Sequence, residues 1–327
     1  MKILVTGGAG YIGSLMVKKS LNKGCEVMVV DSLERGNKDA VDLRATLIVG
    51  DLKNKDFVEN VFSENKFDAV VHFAGYISME ESVANPYIYF DNNINASLNI
   101  VESMIKHNLN NFIFSSTAGV YGNPIRVPIN EDHPKNPTNP YGESKLIVER
   151  ILLWYQKTHG LNFASLRYFN AAGASLDSTA GENHNPETHI IPKAIKAILE
   201  NKEVSIYGDD YSTKDGTCVR DYIHVADLVE AHILAIDKLQ KEKGGFFYNV
   251  GTGTGYSNKE LIETINKVCG ASLKVKIEKR RSGDADSLIA DPRKIQTELG
   301  FSPKHSDLET IIKTAWEWHK RNSKLKI

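Results

Sequence analysis

The sequence predicts an α/β fold in which helices cover both faces of a doubly wound parallel sheet, with a smaller, discontinuous α/β lobe attached. Three observations support this fold class. Short β-rich runs alternate with amphipathic helical patterns through the first half, a glycine-rich turn follows the first run, and the alternation stops near residue 170. A chain of 327 residues is long enough to bury one large core or two modest ones.

Six runs of apolar and β-branched residues predict the strands of the main sheet. They are KILVT (2–6), EVMVVD (26–31), ATLIVGD (45–51), FDAVVHFAG (67–75), NFIFSST (111–117) and NFASLRYFN (162–170). The stretches between them, such as 15–21 and 94–106, have the periodicity of amphipathic helices. Strands joined through helices run parallel, so their carboxyl ends are expected at one edge of the sheet.

The pattern changes beyond residue 170. A segment rich in Gly, Asn and Asp over 173–187 predicts a loop, and a helix over 192–200 and the strand VSIYG (204–208) follow it. DYIHV (221–225) and the helical pattern after it predict one more βα unit that returns to the first domain. The predicted domains are a nucleotide-binding domain at 1–170, with 219–250 returning to it, and a second lobe at 171–218 and 251–327.

Composition and charge exclude several classes of function. The net charge is −1, which does not suggest the basic surface that a phosphate backbone would require, so no nucleic acid partner is expected. No stretch approaches ~18 apolar residues, and the first strand begins at residue 2, so neither a membrane span nor a signal peptide is expected. Cys25, Cys218 and Cys269 are odd in number and lack CxxC spacing, which predicts a cytoplasmic protein without a metal.

The first strand leads directly into a glycine-rich turn with Gly7, Gly10 and Gly13 three residues apart. Such glycines permit a tight turn and a close approach of the backbone to a pyrophosphate at the helix N-terminus, as in Rossmann-type domains. Asp31 ends the second strand, where a carboxylate receives ribose hydroxyls and repels a 2′-phosphate. NAD is therefore predicted rather than NADP, and a glycine turn without a ligand is the alternative. Two further residues of the turn are predicted to contact the cofactor, Tyr11 and Ile12.

Two more strand ends are predicted to contact the cofactor. Asp51 and Leu52 lie at the end of the third predicted strand, where the Asp51 carboxylate could meet the adenine amine. Phe73 and Ala74 lie at the end of the fourth, where small residues let a cofactor cross the edge of the sheet. Ligands of open parallel sheets bind at the carboxyl ends of the strands, so the shared position of these motifs supports a nucleotide site.

A tyrosine and a lysine stand four places apart in NPYGESK (139–145). Pro140 suits the first turn of a helix, and residues four apart then share a face. The Lys145 ammonium could favour the ionised Tyr141 phenol, which would then act as a base. Thr117 ends the fifth strand and could converge with both. The alternative is that Tyr141 packs and Lys145 is solvated.

These motifs carry a family resemblance. GGAGYIG, the strand-end Asp31, FSST and YGESK resemble the extended short-chain dehydrogenase/reductase family. The resemblance implies that Tyr141 is the catalytic base, that Lys145 lowers its pKa and holds the nicotinamide ribose, and that Thr117 hydrogen-bonds the reacting oxygen. HFAG, FDNN, LRYFN, GTCVRDYIHV and RRSGD narrow the resemblance to UDP-galactose 4-epimerases, over nearly the whole chain.

The resemblance implies a UDP-sugar substrate, a homodimer and the interconversion of UDP-glucose and UDP-galactose. In such a reaction C4 is oxidised to a 4-keto sugar, the sugar rotates, and bound NAD re-reduces it. The implied cofactor contacts further along the chain are Asn92 and Tyr168. The implied substrate contacts, besides Thr117 and Tyr141, are Asn170, His189, Ile206, Tyr207, Arg220, Arg281 and Asp284. Planar guanidinium groups suit a diphosphate independently of the resemblance.

Leu288 stands where similar epimerases line the sugar pocket near C2 with residues of different bulk. Leucine leaves room for an acetamido group, so UDP-N-acetylglucosamine and UDP-N-acetylgalactosamine are expected as further substrates. Two differences from the family pattern are Ile77, where a lysine often stands, and His189, where an amide often stands. The alternatives are another NAD-dependent sugar-nucleotide epimerase, a 4,6-dehydratase, which would need an acid where Ala118 follows Thr117, and a non-catalytic NAD-binding sensor.

Overall fold

Seven parallel strands form the main sheet of the computed structural model, which describes residues 1–281 and 284–324. The strands of the chain are β1 (Lys2–Thr6), β2 (Glu26–Asp31), β3 (Thr46–Val49), β4 (Ala69–His72), β5 (Asn111–Thr117), β6 (Asn162–Tyr168), β7 (Asn170–Ala172), β8 (Glu203–Tyr207), β9 (Val219–His224), β10 (Gly245–Val250), β11 (Gly255–Ser257), β12 (Lys274–Glu278) and β13 (Ser287–Leu288). The main sheet has the order β3-β2-β1-β4-β5-β6-β10. The predicted doubly wound parallel sheet is therefore confirmed.

Helices connect these strands and surround the sheet. They are α1 (Tyr11–Asn22), α2 (Lys55–Glu64), α3 (Met79–Ala84), α4 (Pro86–Phe90), α5 (Ala96–Lys106), α6 (Pro140–His159), α7 (Ile190–Leu199), α8 (Val225–Lys241), α9 (Asn258–Cys269), α10 (Arg293–Leu299) and α11 (Leu308–Lys324). A π-helical turn over Asp91–Asn95 joins α4 to α5. None of the helices within the described residues has the length and apolar composition to cross a lipid bilayer.

The main sheet is covered on both faces because its strands are apolar on both sides. Successive side chains of β1 alternate between two cores, with Ile3 and Val5 in one and Leu4 in the other. The first core packs against α1 and α8, and the second packs against α2, α5 and α6. Continuous apolar strands are typical of parallel sheets buried on both faces.

The second lobe contains a small sheet and a separate strand pair. Strand β9 pairs with β7, β11 and β13, while β12 pairs with β8. Helices α7, α9 and α11 enclose the core of this lobe, which contains Ile191, Ile195, Leu261, Ile265 and Ile311. The described part of this lobe is therefore assembled from pieces of chain that are distant in sequence.

The predicted return of 219–250 to the first domain is wrong for its first strand. Helix α8 packs on the main sheet and β10 becomes its edge strand beside β6, whereas β9 pairs within the small sheet. The alternation of strand and helix identified the βα unit. It could not identify the sheet, because the partners of β9 are short strands of two and three residues without a periodic signal.

Candidate active site

The carboxyl ends of the parallel strands meet at one edge, and the order of the strands reverses between β1 and β4. Thr6 of β1 is paired with His72 of β4, and Thr117 of β5 is paired with Tyr168 of β6. Crevices at such a reversal are where open α/β sheets bind ligands. The strand-end residues predicted from the sequence therefore share this edge.

The glycine turn has no room for side chains. A Cβ atom on Gly7 would lie 2.6 Å from the Ala74 backbone nitrogen, and one on Gly13 would lie 2.2 Å from the Gly7 carbonyl oxygen. Gly7 also has a φ of +72°, which L side chains rarely adopt. The turn leads into the N-terminus of α1, where unpaired backbone N–H groups favour an anion. The backbone thus forms a cradle that fits the pyrophosphate of NAD.

Tyr11 and Ile12 are the first two residues of α1. The Tyr11 hydroxyl donates a hydrogen bond to the Gly173 carbonyl oxygen at 2.6 Å, and its ring is buried. Ile12 is half-buried against the first core. The Tyr11 side chain therefore ties the first domain to the segment after β7, so its predicted contact with the cofactor would be made by its backbone.

Asp31 is held at the end of β2 beside the glycine turn. Its carboxylate accepts hydrogen bonds from the Ala9 and Leu33 backbone N–H groups, at 3.0 and 2.9 Å. Arg35, the nearby cation, donates two hydrogen bonds to the Glu81 carboxylate and stacks on the Tyr76 ring. Because Arg35 is already paired, it is poorly available for a 2′-phosphate, and the residues present fit NAD.

Other predicted cofactor residues are brought to the same edge. Asp51 is exposed after β3, whereas the Leu52 side chain is buried in the second core. Phe73 packs against His232 with ring centroids 4.8 Å apart, and Ala74 approaches the glycine turn. Any contact by Leu52 is thus limited to its backbone, while Asp51 and Phe73 have accessible side-chain surface.

Helix α6 presents the tyrosine and the lysine from its first turns. Pro140 is the first helical residue, and the Asn139 side chain caps the helix by accepting a hydrogen bond from the Gly142 N–H at 2.9 Å. Lys145 is buried, and a Cβ atom on Gly75 would lie 3.3 Å from its Nζ atom. The strand-end glycine after β4 therefore leaves the space that the ammonium occupies.

Burial is the main influence on the electrostatics of Tyr141 and Lys145. Burial raises the pKa of the Tyr141 phenol, and a hydrogen bond with Thr117 offsets part of this rise. Burial also lowers the pKa of Lys145 to about 8. In the polypeptide alone, desolvation thus dominates the pKa of Tyr141, and the lowering of this pKa by Lys145 stays a prediction. The sequence pattern contained the four-residue spacing but not the degree of burial.

Asn93 is a positioning residue that the sequence reasoning missed. Its side-chain oxygen accepts a hydrogen bond from the Tyr76 N–H, and its amide donates to the Tyr76 carbonyl and to the Ser144 hydroxyl, at 2.8, 3.1 and 3.0 Å. The motif FDNN contains the signal, although the resemblance implied its neighbour Asn92. The Asn92 amide donates to Asn93 at 3.2 Å. Asn93 fastens the segment after β4 to helix α6 between Tyr141 and Lys145.

Two polar side chains lie near this edge, the half-buried Tyr168 and the fully buried His72. The Tyr168 hydroxyl shares a hydrogen bond with Ser115, and burial raises its pKa. His72 contacts the hydroxyls of Thr6 and Ser97 through its two ring nitrogens, at 2.7 and 2.9 Å. Burial, together with the Lys145 charge, lowers the pKa of His72 to about 3. His72 is therefore neutral at pH 7, and its contacts with Thr6 and Ser97 hold the carboxyl end of β4 in place.

Arg220 is fixed in the second lobe at the beginning of β9. Its guanidinium donates hydrogen bonds to the carbonyl oxygens of Val219 and Ala285, both at 2.9 Å, and lies 3.5 Å from the Asp284 carboxylate. Asn170, the first residue of β7, is half-buried and pairs with Tyr222 of β9. The small sheet thus brings Asn170, Arg220 and Asp284, all predicted substrate contacts, into one region.

Arg281 and Tyr207 lie together at the edge of the second lobe. The Arg281 guanidinium carbon is 3.9 Å from the centroid of the Tyr207 ring, and the arginine side chain is exposed. Ile206 precedes Tyr207 in β8, so its side chain points to the opposite face and is buried in the lobe core. The structure therefore does not bring the Ile206 side chain to the site.

His189 immediately precedes α7, and its Nδ1 atom lies 2.6 Å from Glu182. The histidine side chain retains exposed surface. One ring nitrogen thus faces a carboxylate within the second lobe rather than being directed at a substrate.

Leu288 lies between the first-domain residues and the second-lobe residues of the candidate site. It pairs with Arg220 across β13 and β9, and it packs against a small cluster that includes Ala118, Leu146 and Phe169. Ala118 follows Thr117 and Leu146 follows Lys145, so Leu288 lies between the predicted catalytic residues and the arginine. A residue in this position can limit the space available to a bound molecule.

These residues offer three capabilities. The glycine turn and Asp31 can hold a dinucleotide, Tyr141 with Thr117 and Lys145 can exchange a proton, and Arg220 with Arg281 can hold an anion. Together they suit a reaction at a hydroxyl-bearing carbon of an anionic substrate.

Comparison with known proteins agrees with this geometry. Residues 3–251 match the model of the NAD dependent epimerase/dehydratase family. A UDP-glucose 4-epimerase of Lactobacillus helveticus is 46% identical over 325 residues, which are 99% of this chain and 98% of that protein. The structure of a Bifidobacterium longum UDP-glucose 4-epimerase in complex with NAD⁺ and UDP has a TM-score of 0.95 and 39% identity, covering 99% of each chain. The Campylobacter jejuni UDP-Glc/GlcNAc 4-epimerase structure has a TM-score of 0.85 and 41% identity, covering 98% of this chain and 99% of that one.

Proposed function

Because the chain belongs to the NAD dependent epimerase/dehydratase family, we propose that it interconverts UDP-glucose and UDP-galactose by inversion at C4. The observation that carries the proposal is the convergence of Tyr141, Thr117 and Lys145 with the glycine turn at one sheet edge, facing Arg220 across Leu288. Relatives that cover nearly the whole chain at 40–46% identity are named UDP-glucose 4-epimerases.

The mechanism assigns each residue one task. Tyr141 removes the proton of the 4-hydroxyl as a phenolate, and Thr117 holds the reacting oxygen through its hydroxyl. When held by the glycine turn and Asp31, NAD would supply the redox chemistry at C4, as hydride acceptor and then as hydride donor. Burial disfavours the charged phenolate in the polypeptide alone, so positive charge near the phenol, including that of Lys145, must offset this cost.

Inversion requires that the sugar turn while the nucleotide stays in place. Arg220 and Arg281 would hold the diphosphate, and Asn170 and Asp284 would contact the nucleoside side. Arg220 is suited to this task because two backbone carbonyls fix its guanidinium, so little side-chain freedom is lost on binding. The 4-keto sugar can then rotate about its link to the diphosphate and present its opposite face.

The direct test is to mix the purified protein with UDP-glucose alone and follow the appearance of UDP-galactose. Tyr141→Phe retains the ring but not the ionisable group, so turnover is expected to fall by at least ~10²-fold. Tyr155→Phe is the matched control, since Tyr155 lies on the same helix and its hydroxyl contacts only the exposed Glu102. Near-normal turnover by Tyr141→Phe would remove Tyr141 from the mechanism.

The cofactor is expected to remain bound, since each turnover regenerates it. Nucleotide released by acid from freshly purified protein should be NAD, at about one per chain, because Asp31 disfavours a 2′-phosphate and Glu81 occupies Arg35. Release of mainly NADP would contradict this argument. A low content of any nucleotide would point to Ile77, whose half-exposed aliphatic side chain cannot hydrogen-bond a ribose.

We also propose that N-acetylated UDP-hexosamines are substrates. Leu288 lies beside Arg220 and packs near Thr117, which supports a role in limiting the space around the sugar. A leucine has no ring to fill the space of an acetamido group, and its side chain can bury the acetyl methyl. The similar Campylobacter jejuni protein, named a UDP-Glc/GlcNAc 4-epimerase, supports the same proposal.

A homodimer and a cytoplasmic location complete the proposal. Helices α4 and α6 expose Tyr87 and Trp154, at 74% and 65% of their surface, and large exposed aromatic side chains favour association. Sedimentation velocity that gives only a monomer at micromolar concentration would contradict the dimer.

The proposed location is the cytoplasm. Cys25, Cys218 and Cys269 are free thiols, which suits a reducing compartment, and cell fractionation tests that location.

A further inference from the structure

Four side chains of the segment 182–189 direct ligand-type atoms at one point of the second lobe. They are Glu182, His184, Glu187 and His189, and one nitrogen or oxygen from each lies within 4.8 Å of all the others. Within this histidine–glutamate cluster, the Glu182 Oε1 atom is 2.6 Å from His189 Nδ1 and 3.1 Å from His184 Nδ1. The two Nδ1 atoms are 3.5 and 3.9 Å from Glu187 Oε1.

These short distances are not satisfied hydrogen bonds. Glu182 Oε1, Glu187 Oε2 and the Nδ1 atoms of His184 and His189 are buried and have no hydrogen-bond partner of acceptable geometry among the described residues. The Glu182 side chain is only 5% exposed. A buried polar atom without a partner costs about 1–3 kcal/mol. Glu187 turns its Oε1 atom toward the two histidines, and this atom already accepts hydrogen bonds from the Thr188 and His189 backbone N–H groups. The three unpartnered atoms that lie closest together, Glu182 Oε1 and the two Nδ1 atoms, suggest a common partner that bonds to all of them and to Glu187.

We propose that this cluster binds a divalent transition metal ion, with Zn²⁺ as the best fit. Zinc bonds of about 2.0–2.2 Å in a tetrahedron separate neighbouring ligand atoms by roughly 3.3 Å, and the distances of 2.6–3.9 Å lie around that value. Two imidazole nitrogens favour zinc over magnesium and calcium, which prefer oxygen ligands. The two carboxylates balance the charge of the ion.

Two metal-free histidine–glutamate ion pairs are the competing explanation. Burial alone would lower the pKa values of both histidines, but the Glu182 and Glu187 carboxylates raise them to about 9 for His184 and about 10 for His189. Both rings would then be protonated at pH 7, with their centroids 5.6 Å apart. Zinc must displace these protons, so its affinity should increase with pH.

Three other side chains lie near the histidine–glutamate cluster. The Lys196 Nζ atom of α7 lies 3.9 Å from Glu187. The Tyr11 ring of α1 contacts the His184 ring edge-on, with ring centroids 6.4 Å apart. His319 of α11 lies close enough for the charges of Glu182 and Glu187 to affect its pKa. Burial lowers the pKa of His319 to about 4, so it is neutral at pH 7. Lys196 is then the cation that competes most directly with the metal.

The position of the cluster predicts the effect of the metal. His189 immediately precedes α7, and the neighbouring Tyr11 is hydrogen-bonded to Gly173 from the start of α1. A metal bound here would therefore link the loop of the second lobe to α7 at a point that contacts the first domain. The expected effect is on stability, because the cluster includes none of the proposed proton-transfer residues.

The sequence prediction of no metal was based on the lack of CxxC spacing. That criterion excludes only cysteine sites, whereas ENHNPETH supplies the spacing E-x-H-x-x-E-x-H.

The test uses untagged full-length protein stripped with a chelator and then titrated with Zn²⁺ alone. Metal retained after gel filtration is measured by elemental analysis, and Co²⁺ substitution is followed by its visible absorption. Wild type should retain about one zinc per chain. His184→Gln and Glu187→Gln should each weaken binding by at least ~10-fold, since loss even of outer-shell partners costs 10–100-fold. His107→Gln is the matched control, because His107 contacts a single carboxylate, Glu59, at 2.9 Å.

Thermal unfolding provides a second measurement that does not depend on catalysis. Excess Zn²⁺ should raise the midpoint of wild type and of His107→Gln but not that of His184→Gln, provided that the circular dichroism of the variants is unchanged. Glu187→Gln replaces His184→Gln in this comparison if the latter does not fold. The proposal is overturned if wild type retains no stoichiometric zinc, or if the cluster variants retain as much as the His107 control. Neither outcome bears on the proposed epimerase activity.

Discussion

At the scale of single residues, the site depends on which side chains are buried and which are already paired. Burial raises the pKa of Tyr141 and lowers that of Lys145. Arg35 is hydrogen-bonded to Glu81, so it is poorly available for the 2′-phosphate that Asp31 disfavours. Leu288 lies between the end of β5 and Arg220, and we propose that it limits the space for the sugar. Selectivity among sugars is therefore expected to depend on this residue.

Leu288→Tyr should suppress turnover of UDP-N-acetylglucosamine selectively. The phenol ring would fill the space for the acetamido group, and the acetyl methyl would no longer be buried against leucine, which is worth on the order of 1 kcal/mol. The measurement is kcat/KM for UDP-glucose and for UDP-N-acetylglucosamine in each variant.

Leu288→Ala is the control for this change, because it removes bulk at the same position and should leave both substrates accepted. Equal slowing of the two sugars by Leu288→Tyr, or a wild type that converts only the unacetylated pair, would show that Leu288 does not set the sugar selectivity.

Residue identities were easier to predict from the sequence than their side-chain directions. Gly7, Gly10 and Gly13 follow from local backbone demands, and Asp31 follows from its place at a strand end. Ile206 illustrates the limit, because the side of β8 that faces the lobe core depends on its partner β12, which follows much later in the chain. The pKa of Tyr141 could not be predicted either, since it depends on how completely the folded chain excludes water.

At the scale of elements, helix α6 sets the geometry of Tyr141 and Lys145, the proposed proton-transfer residues. The side chain of Asn139 caps the helix two residues before Tyr141, and Asn93 fastens the helix to the segment after β4 through Ser144. Proline and a capping residue were readable in NPYGESK, so the start of this helix was predictable. The π-helical turn that presents Asn93 was not, because it has no distinctive sequence pattern.

Asn139→Ala should lower both stability and turnover. Loss of the cap is expected to cost about 1 kcal/mol of unfolding free energy, and fraying of the first turn should displace the Tyr141 hydroxyl. Chemical denaturation and kcat are measured together. Asn54→Ala is the matched control, because Asn54 caps α2 through a similar 3.1 Å hydrogen bond from the Phe57 N–H but lies away from the proton-transfer residues.

The two variants should lose similar stability, whereas only Asn139→Ala should lower kcat. A kcat that falls equally in both variants, or in neither, would mean that the cap has no specific role in positioning Tyr141.

At the scale of the whole molecule, four buried histidines make the fold sensitive to acid. Burial lowers the pKa of His72 to about 3 and those of His224, His232 and His319 to about 4. Histidine pKa values in the unfolded chain are near 6.5, so the unfolded chain binds more protons than the folded chain between about pH 6.5 and 4. By linkage, these histidines lower stability as the pH falls from about 6.5 to 4. In the metal-free protein, His184 and His189 have raised pKa values, so their contribution is full below about pH 6.5 and is lost as the pH rises toward 9–10.

His232→Phe should reduce this sensitivity to acid. His232 packs between Phe73 and Tyr168, where a phenyl ring fits, and its Nε2 atom has no partner among the described residues. The slope of unfolding free energy against pH between 6.5 and 4 should decrease by up to ~1.4 kcal/mol per pH unit, the value of one proton.

Urea denaturation at several pH values measures the slope, and the exposed His159→Phe serves as control. A slope in His232→Phe equal to that of the control would show that His232 is not neutral in the folded protein. Carboxylates that titrate in the same range contribute equally to both variants and cancel in the comparison.

The order of strands in the main sheet also has a consequence for synthesis on the ribosome. Six of the seven strands are complete once Tyr168 has been made, but β10, which covers the outer edge of β6, ends only at Val250. At about 5–20 residues per second, the nascent sheet presents the bare N–H and C=O groups of β6 for roughly 4–16 s. An uncovered strand edge can pair with another chain. Nascent polypeptides stalled between these two residues should therefore associate with each other or with chaperones more than those stalled beyond Val250, once both have cleared the exit tunnel.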